Sequence, residues 1–193
     1  MGKIYCVMGK SASGKDTVYR MIRSRRPGLK EVVMYTTRPA RAGEKDGSAY
    51  FFVGEDRIRQ FEDEGKLIEK RTYMTVKGPW TYATADDGQI CLSGNSYLVP
   101  ATLQSFQKLS AWYGKENVIP LYVEVEDGER LLRAIRREQE QSVPQYREMC
   151  RRFLADCEDF SEEKIREAGI TVRFENNDAA ECAEEMIKVI DRG

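Results

Sequence analysis

The chain has no histidine among its 193 residues. That absence removes a Ser-His-Asp triad, a Cys-His pair, a His-ligated zinc site and a histidine general base from the chemistry open to it. Cysteine is sparse and unpatterned: Cys6, Cys91, Cys150, Cys157 and Cys182 are odd in number, and no two are spaced as Cys-x-x-Cys. A disulfide framework and a zinc ribbon are both disfavoured, and reduced cysteines in a cytoplasmic protein are expected. No stretch approaches the ~20 apolar residues of a membrane span, and the apolar run Ile4–Met8 is too short for a signal peptide. Neither sign of charge dominates, with 31 Lys+Arg against 32 Asp+Glu. That balance argues against binding nucleic acid by bulk electrostatics, and neither nucleic acid nor membrane is expected as a partner.

What is present fits one folded domain with an insertion, 41% hydrophobic and 33% charged. Ile4–Met8 reads as a buried strand, and a helix follows from Asp16 to about Ser24. Glu31–Met34, with Val32 and Val33, reads as a second short strand. Between about 35 and 96 the pattern changes to turns, a Tyr50–Val53 strand, a Glu55–Glu64 helix and a ribbon of Leu67–Tyr73 against Trp80–Thr84. Alternation then resumes: strands at Tyr97–Val99, Val118–Val125 and Ile170–Phe174, and helices at Leu103–Tyr113, Glu129–Glu140, Pro144–Asp159 and Ala179–Ile190. Such alternation predicts an α/β fold, a parallel sheet with helices on both faces. The predicted core spans about 1–34, 97–130 and 160–193, with a mixed α+β insertion over about 35–96 and a helical lid over about 131–159.

Gly9-Lys10-Ser11-Ala12-Ser13-Gly14-Lys15 fits Gly-x-x-x-x-Gly-Lys between a predicted strand and a predicted helix. There the glycines let backbone amides converge on phosphate oxygens, the helix adds its positive dipole end, and Lys15 reaches the β- and γ-phosphates. Gly9, Ser11, Ala12, Ser13, Gly14, Lys15, Asp16 and Thr17 are accordingly the expected ATP-binding residues. Asp16 stands where Ser or Thr usually ligates Mg²⁺. It either holds a magnesium water, as a carboxylate suits a hard cation, or is an acidic first-turn residue favoured by the helix dipole.

The string Thr36-Thr37-Arg38-Pro39-x-Arg41-x-Gly43-Glu44-x-x-Gly47-x-x-Tyr50-x-Phe52-Val53 is the most specific in the chain. Arg38 and Arg41 are close enough in sequence to converge on a phosphate dianion, since guanidinium forks bind phosphate bidentately, and Tyr50 could add a hydroxyl. With the phosphate loop, this string resembles the guanylate kinase family over most of the chain. The resemblance implies phosphoryl transfer from ATP to GMP, and to dGMP, with Mg²⁺, in a monomer or homodimer. It implies that Arg38, Arg41, Tyr50 and Tyr82 hold the GMP phosphate, and that Glu69 and Thr84 contact guanine. Departures are present: Met34 stands where the family has Ser, Ala83 where it has Gly, and Pro100 and Thr102 where it has an Asp-x-Asp run. Asp86 and Asp87, in a segment without an alignment, could compensate.

Residues 130 to 152 hold seven arginines against three glutamates. A basic patch in a nearly neutral chain suits a lid over polyphosphate, or a salt-laced exposed helix with Glu129 and Arg133 paired i,i+4. By resemblance, Arg133, Arg137 and Arg152 are the catalytic lid arginines and Asn176 lies on the adenine side. Phosphoryl transfer needs positioning and charge neutralisation more than acid-base work, which suits a chain without histidine. Two rivals stand beside this reading: a related kinase acting on another (deoxy)nucleoside monophosphate or a phosphorylated ribose, and a non-catalytic interaction module.

Overall fold

A computed structural model describes residues 1–48, 50–75 and 78–193. Its first strand, β1 (Ile4–Met8), is buried at every position, as a strand covered on both faces must be. It lies in a four-stranded parallel sheet ordered β6-β1-β7-β8, with β6 at Tyr97–Pro100, β7 at Val118–Glu124 and β8 at Arg173–Glu175. Because side chains alternate along a strand, β1 divides its residues between two cores. Ile4, Cys6 and Met8 join Phe106 and Leu109 of α3 (Leu103–Tyr113) and Ile165 of α6 (Glu162–Glu167). Tyr5 and Val7 join Val18 and Ile22 of α1 (Lys15–Arg25) and Met186 and Ile187 of α7 (Ala179–Ile190). The expected parallel sheet with helices on both faces is the observed one.

The insertion forms a second sheet, ordered β3-β2-β5-β4: β3 at Phe51–Phe52, β2 at Tyr35–Thr36, β5 at Gly78–Ala85 and β4 at Leu67–Thr75. Helix α2 (Glu55–Asp63) buries Ile58 and Phe61 against this sheet, beside Tyr35 and Ala83. A bulge shifts the β4–β5 register between Leu67 and Glu69. Bulges re-aim side chains next to functional sites, and this one leaves both Ile68 and Glu69 buried in succession. Helices α4 (Asp127–Gln139) and α5 (Tyr146–Asp159) complete the chain. Among the described residues, no helix is long and apolar enough to cross a membrane.

Three expectations fail locally. Glu31–Met34 is not a strand; only Lys30 bridges to Tyr97. The Gln89 side chain takes both ladder groups of Val33, its Oε1 accepting from Val33 N at 2.9 Å and its Nε2 donating to Val33 O at 3.1 Å. The last strand begins at Arg173, not Ile170, because Ile170 N closes the preceding helix by donating to Ile165 O. That helix, α6, is absent from the sequence reading.

Candidate active site

The phosphate loop leaves β1 and enters α1 as its sequence predicts. Ala12 (φ 62) and Gly14 (φ 80) adopt the left-handed region, which curls successive amides into a concave anion-binding nest. Glycine is required at two points. A Cβ on Gly14 would lie 2.4 Å from Asn176 Nδ2, and one on Gly9 would lie 2.8 Å from Val123 O. Gly14 caps α1 without any side-chain hydrogen bond; Thr17 N turns back to Gly14 O, and the Lys15 and Asp16 amides, of the kind orphaned at a helix start, are left for a ligand.

Two arginines of α4 clamp this loop. Arg130, fully buried, donates from Nε to Ser11 O at 3.0 Å, pairs with Asp127, and stacks on Phe153 with its guanidinium carbon 4.7 Å from the ring centre. From α5, Asp156 Oδ2 accepts from Ser11 N at 2.7 Å, so both sides of Ser11 are held. Arg133 donates to Glu129 Oε1 at 2.9 Å, the expected i,i+4 pair, and to Asn176 O at 3.1 Å. Asn176, itself buried, donates from Nδ2 to Ser13 O at 2.7 Å. Burial alone would raise the Asp127 carboxyl, but Lys10 and Arg130 outweigh it and hold the group below its ordinary value.

A cleft of about 850 Å³ opens over the loop. It brings together the whole stretch Gly9–Thr17, Tyr50, Arg133, Arg137 and Arg152, all drawn from separate parts of the sequence. Arg137 is exposed and makes no hydrogen bond or ion pair among the described residues. Arg152 sits between Glu138 (3.8 Å) and Glu148 (3.7 Å). Lys15 Nζ lies 2.6 Å from Asp16 Oδ1. Asp16 is in the first turn of α1 with its side chain 85% exposed. No group of three or more acidic or cysteine side chains among the described residues could enclose a metal. This donor set fits Mg²⁺, which keeps several waters and takes phosphate oxygens with only one or two protein ligands.

The acceptor motif is built differently from the simple expectation of two converging arginines. Thr36 Oγ1 donates to Thr81 O and accepts from Arg38 N, and Thr37 Oγ1 accepts from Thr81 N. The two threonines thus pin β2 to β5. Arg38 is buried, its guanidinium forked onto Glu44 with both bonds at 2.9 Å and lying 5.5 Å from the ring centres of Tyr50 and Phe52. Arg41 binds the same carboxylate through its backbone N–H at 2.7 Å, leaving its exposed side chain outside the pair. Glu44 is therefore the organiser of the loop, a role that the sequence reading did not assign. The Arg38 guanidinium, then the Arg41 amide, depress the Glu44 carboxyl from 4.5 to about 2. A depressed carboxyl stabilises the fold above its unfolded value and loses that contribution as pH falls through the folded one. In an NMR pH titration the Glu44 carboxyl is accordingly expected to titrate near 2; a midpoint in the ordinary carboxylate range would show that the fork does not form in solution.

Tyr82 lies with Met34, Tyr50, Arg71, Tyr73 and Trp80 around an adjoining hollow of about 320 Å³. Glu69 is nearly sealed. Ser105 Oγ donates to its two carboxylate oxygens at 2.9 and 3.0 Å, and Thr84 Oγ1 to one of them at 3.3 Å. Asp86 and Asp87 are each engaged by a tyrosine hydroxyl. Tyr113 O–H donates to Asp86 at 3.5 Å and Tyr35 O–H to Asp87 at 2.5 Å. Three further residues of the site escaped the sequence reading, Arg71, Ser105 and Asp156, while Glu44 stands in the Thr-Thr-Arg string without a role assigned to it. Only Arg71 left a readable signal, standing two residues after Glu69 on one strand face.

A family model described as Guanylate kinase matches residues 1–190. The chain is 47% identical over 68 residues to a guanylate kinase of Mycolicibacterium paratuberculosis, a stretch covering 35% of this chain and 30% of that protein. It is 31% identical over 113 residues to a guanylate kinase of Rhodopseudomonas palustris, covering 56% of this chain and 48% of that protein. The chain thus spans between 30% and 48% of these curated relatives. Its fold is similar to the crystal structure of a guanylate kinase from Anaplasma phagocytophilum, with a TM-score of 0.67 and 21% identity, covering 99% of this chain and 85% of that one.

Proposed function

Since the chain belongs to the guanylate kinase family, we propose that it transfers the γ-phosphoryl group of ATP to GMP, and to dGMP, forming the nucleoside diphosphate. The observation that carries this reading is the single cleft shared by the phosphate loop, Tyr50 and the arginines of α4 and α5. The amides of the nest and Lys15 bind the donor's phosphates. Arg137 and Arg152 meet the charge that spreads over the equatorial oxygens of the transferring group, while Arg133 braces the loop through Asn176. Tyr50 and Tyr82 border the acceptor end, behind which Glu44 fixes Arg38 and Arg41. Asp16 and Thr17 would hold Mg²⁺, which when bound would neutralise charge on the donor's phosphates. Residues of α4 and α5 wall the cleft, and their closing excludes the water that would otherwise hydrolyse ATP. The five cysteines are free, which suits a reducing compartment such as the cytoplasm.

Met34 and Pro100 line the cleft and favour one second reading, a kinase of the same build with another phosphorylated acceptor. A coupled assay of ADP release with GMP, dGMP, AMP, CMP, UMP, TMP and ribose 1,5-bisphosphate separates the two. GMP and dGMP are expected to give the highest kcat/KM. A higher value for any other acceptor overturns the GMP reading, and no turnover together with no ATP binding in the presence of Mg²⁺ would favour an interaction module.

A further inference from the structure

The phosphate loop already carries an anion of the protein's own. Among the described residues, Ser11 N is the one amide of residues 9–17 that donates to a side chain, the Asp156 carboxylate of α5 at 2.7 Å. That side chain is 20% exposed and lines both the phosphate-loop cleft and a hollow of about 570 Å³ between α3 and α5. Ser11 is the one loop residue on this second hollow, which it shares with Arg71 and Thr102. Arg71 in turn borders the hollow of Tyr50 and Tyr82. The Ser11 amide therefore lies at the acceptor end of the loop, and the Lys15 and Asp16 amides at the start of α1. The place that Asp156 Oδ2 holds is built for an anion. Arg130 Nη2, buried and without a hydrogen bond, lies 3.9 Å from the same oxygen. Ser13 Oγ and Arg152 Nε, on residues lining the cleft, are also buried without a hydrogen bond. One carboxylate leaves these donors unpaired, and buried unpaired donors are costly. A phosphate brings three acceptor oxygens to the same place.

We propose that Asp156 is a specificity-determining residue of the donor site: its carboxylate holds the place of the donor's terminal phosphate at Ser11 N and Arg130, so that a nucleoside triphosphate must displace it and a diphosphate need not. This inference rests on the reading of the loop as the ATP site. Phosphoryl transfer sets the γ-phosphoryl group between donor and acceptor, at the end of the loop where Ser11 lies. The amides that lead into α1 take the phosphates nearer the nucleoside. Displacement breaks a charge-assisted hydrogen bond, and a carboxylate that stayed close would repel the incoming phosphate. Both effects weigh against the triphosphate and leave the diphosphate untouched. Asp156 thereby lowers the affinity for the donor substrate relative to that for its product.

The test is titration calorimetry of wild type, Asp156→Ala and Asp156→Asn in the presence of Mg²⁺, with ADP and with the non-hydrolysable β,γ-imido analogue of ATP. No acceptor is present, so failure of the GMP reading leaves the result intact. Asp156→Ala is expected to bind the triphosphate about tenfold tighter than wild type, the scale of one hydrogen bond to a charged group, and ADP within about twofold. Asp156→Asn keeps the shape and an acceptor oxygen but not the charge, and is expected to fall between the two; it carries the test where alanine disturbs α5. Triphosphate binding that is unchanged or weaker in both variants would make Asp156 a brace of Ser11 and overturn the proposal. Equal tightening for ADP overturns it as well, since the carboxylate would then stand in for an inner phosphate. Failure of wild type to bind either nucleotide overturns the reading of the loop and this inference with it.

Discussion

Arg137→Ala is expected to lower kcat by about 10³-fold or more, the scale of an arginine that stabilises transferring phosphoryl charge, while KM for GMP moves little. Three of the four arginines of α4 meet the phosphate loop or its cleft, each in a different way. Arg130 is buried under the phosphate loop, and Arg133 is divided between Glu129 and the Asn176 carbonyl. Arg137 lines the same cleft, is exposed, and has no partner among the described residues. Of the α4 arginines that line the cleft, it is thus the one whose charge is free to follow the reacting phosphate, and an interaction made mainly in the transition state appears in kcat and kcat/KM together. Arg133→Ala offers the contrast. It loosens Asn176 and through it Ser13, so its effect belongs in KM for ATP. Single-turnover measurements with saturating GMP separate the two, and an Arg137→Ala kcat within a fewfold of wild type would remove Arg137 from the transition state.

The parts of the molecule that were readable from sequence are those whose cause is local. β1 declares itself by an uninterrupted apolar run, and the loop after it by glycines at fixed spacing, because burial on two faces and a tight phosphate nest each demand those residues in succession. Helix α6 is only six residues long, too short to show a period, and its signals are a Ser161 cap and Gly169 at φ 73. Val32-Val33 has every local mark of a strand, yet a glutamine 56 residues away occupies its ladder groups. The acceptor site divides the same way. The Thr-Thr-Arg string was visible, but Glu44 as its organiser was not, since a glutamate in a charged loop looks solvated until the fork with buried Arg38 is seen. Glu69 was placed at the acceptor base by resemblance, whereas its enclosure by Ser105, Thr84 and Arg71 depends on a bulge and on the start of α3. The seven arginines between 130 and 152 looked alike in sequence. Tertiary packing separates the buried Arg130 from the exposed Arg137.

That burial makes Arg130→Ala the substitution expected to cost most stability, about 3 kcal/mol, the lower end for removing one member of a buried charged pair. Three losses coincide. Ser11 O loses its donor, Phe153 loses the guanidinium stacked on it, and Asp127 and Asp156 lose a cation that bridges α4 to α5. The carboxylates are not fully buried, with side-chain exposures of 48% and 20%, so water recovers part of their solvation and the larger figures for sealed pairs do not apply. For a chain of this length the loss corresponds to about 6–12 °C in melting temperature, measurable by calorimetry. The pH dependence supplies a second check. In the wild type, Lys10 and Arg130 hold the Asp127 carboxyl below its ordinary value; its contribution is present above the unfolded pKa and is lost as pH falls through the folded one. Without Arg130 the folded pKa moves back up, so acid unfolding is expected to begin at higher pH, and the gap between the two proteins narrows once Asp127 is protonated in both. A melting temperature within about 2 °C of wild type, equivalent to less than about 1 kcal/mol, would mean that Ser11 and the two aspartates find other partners and that α4 does not anchor the loop through this residue.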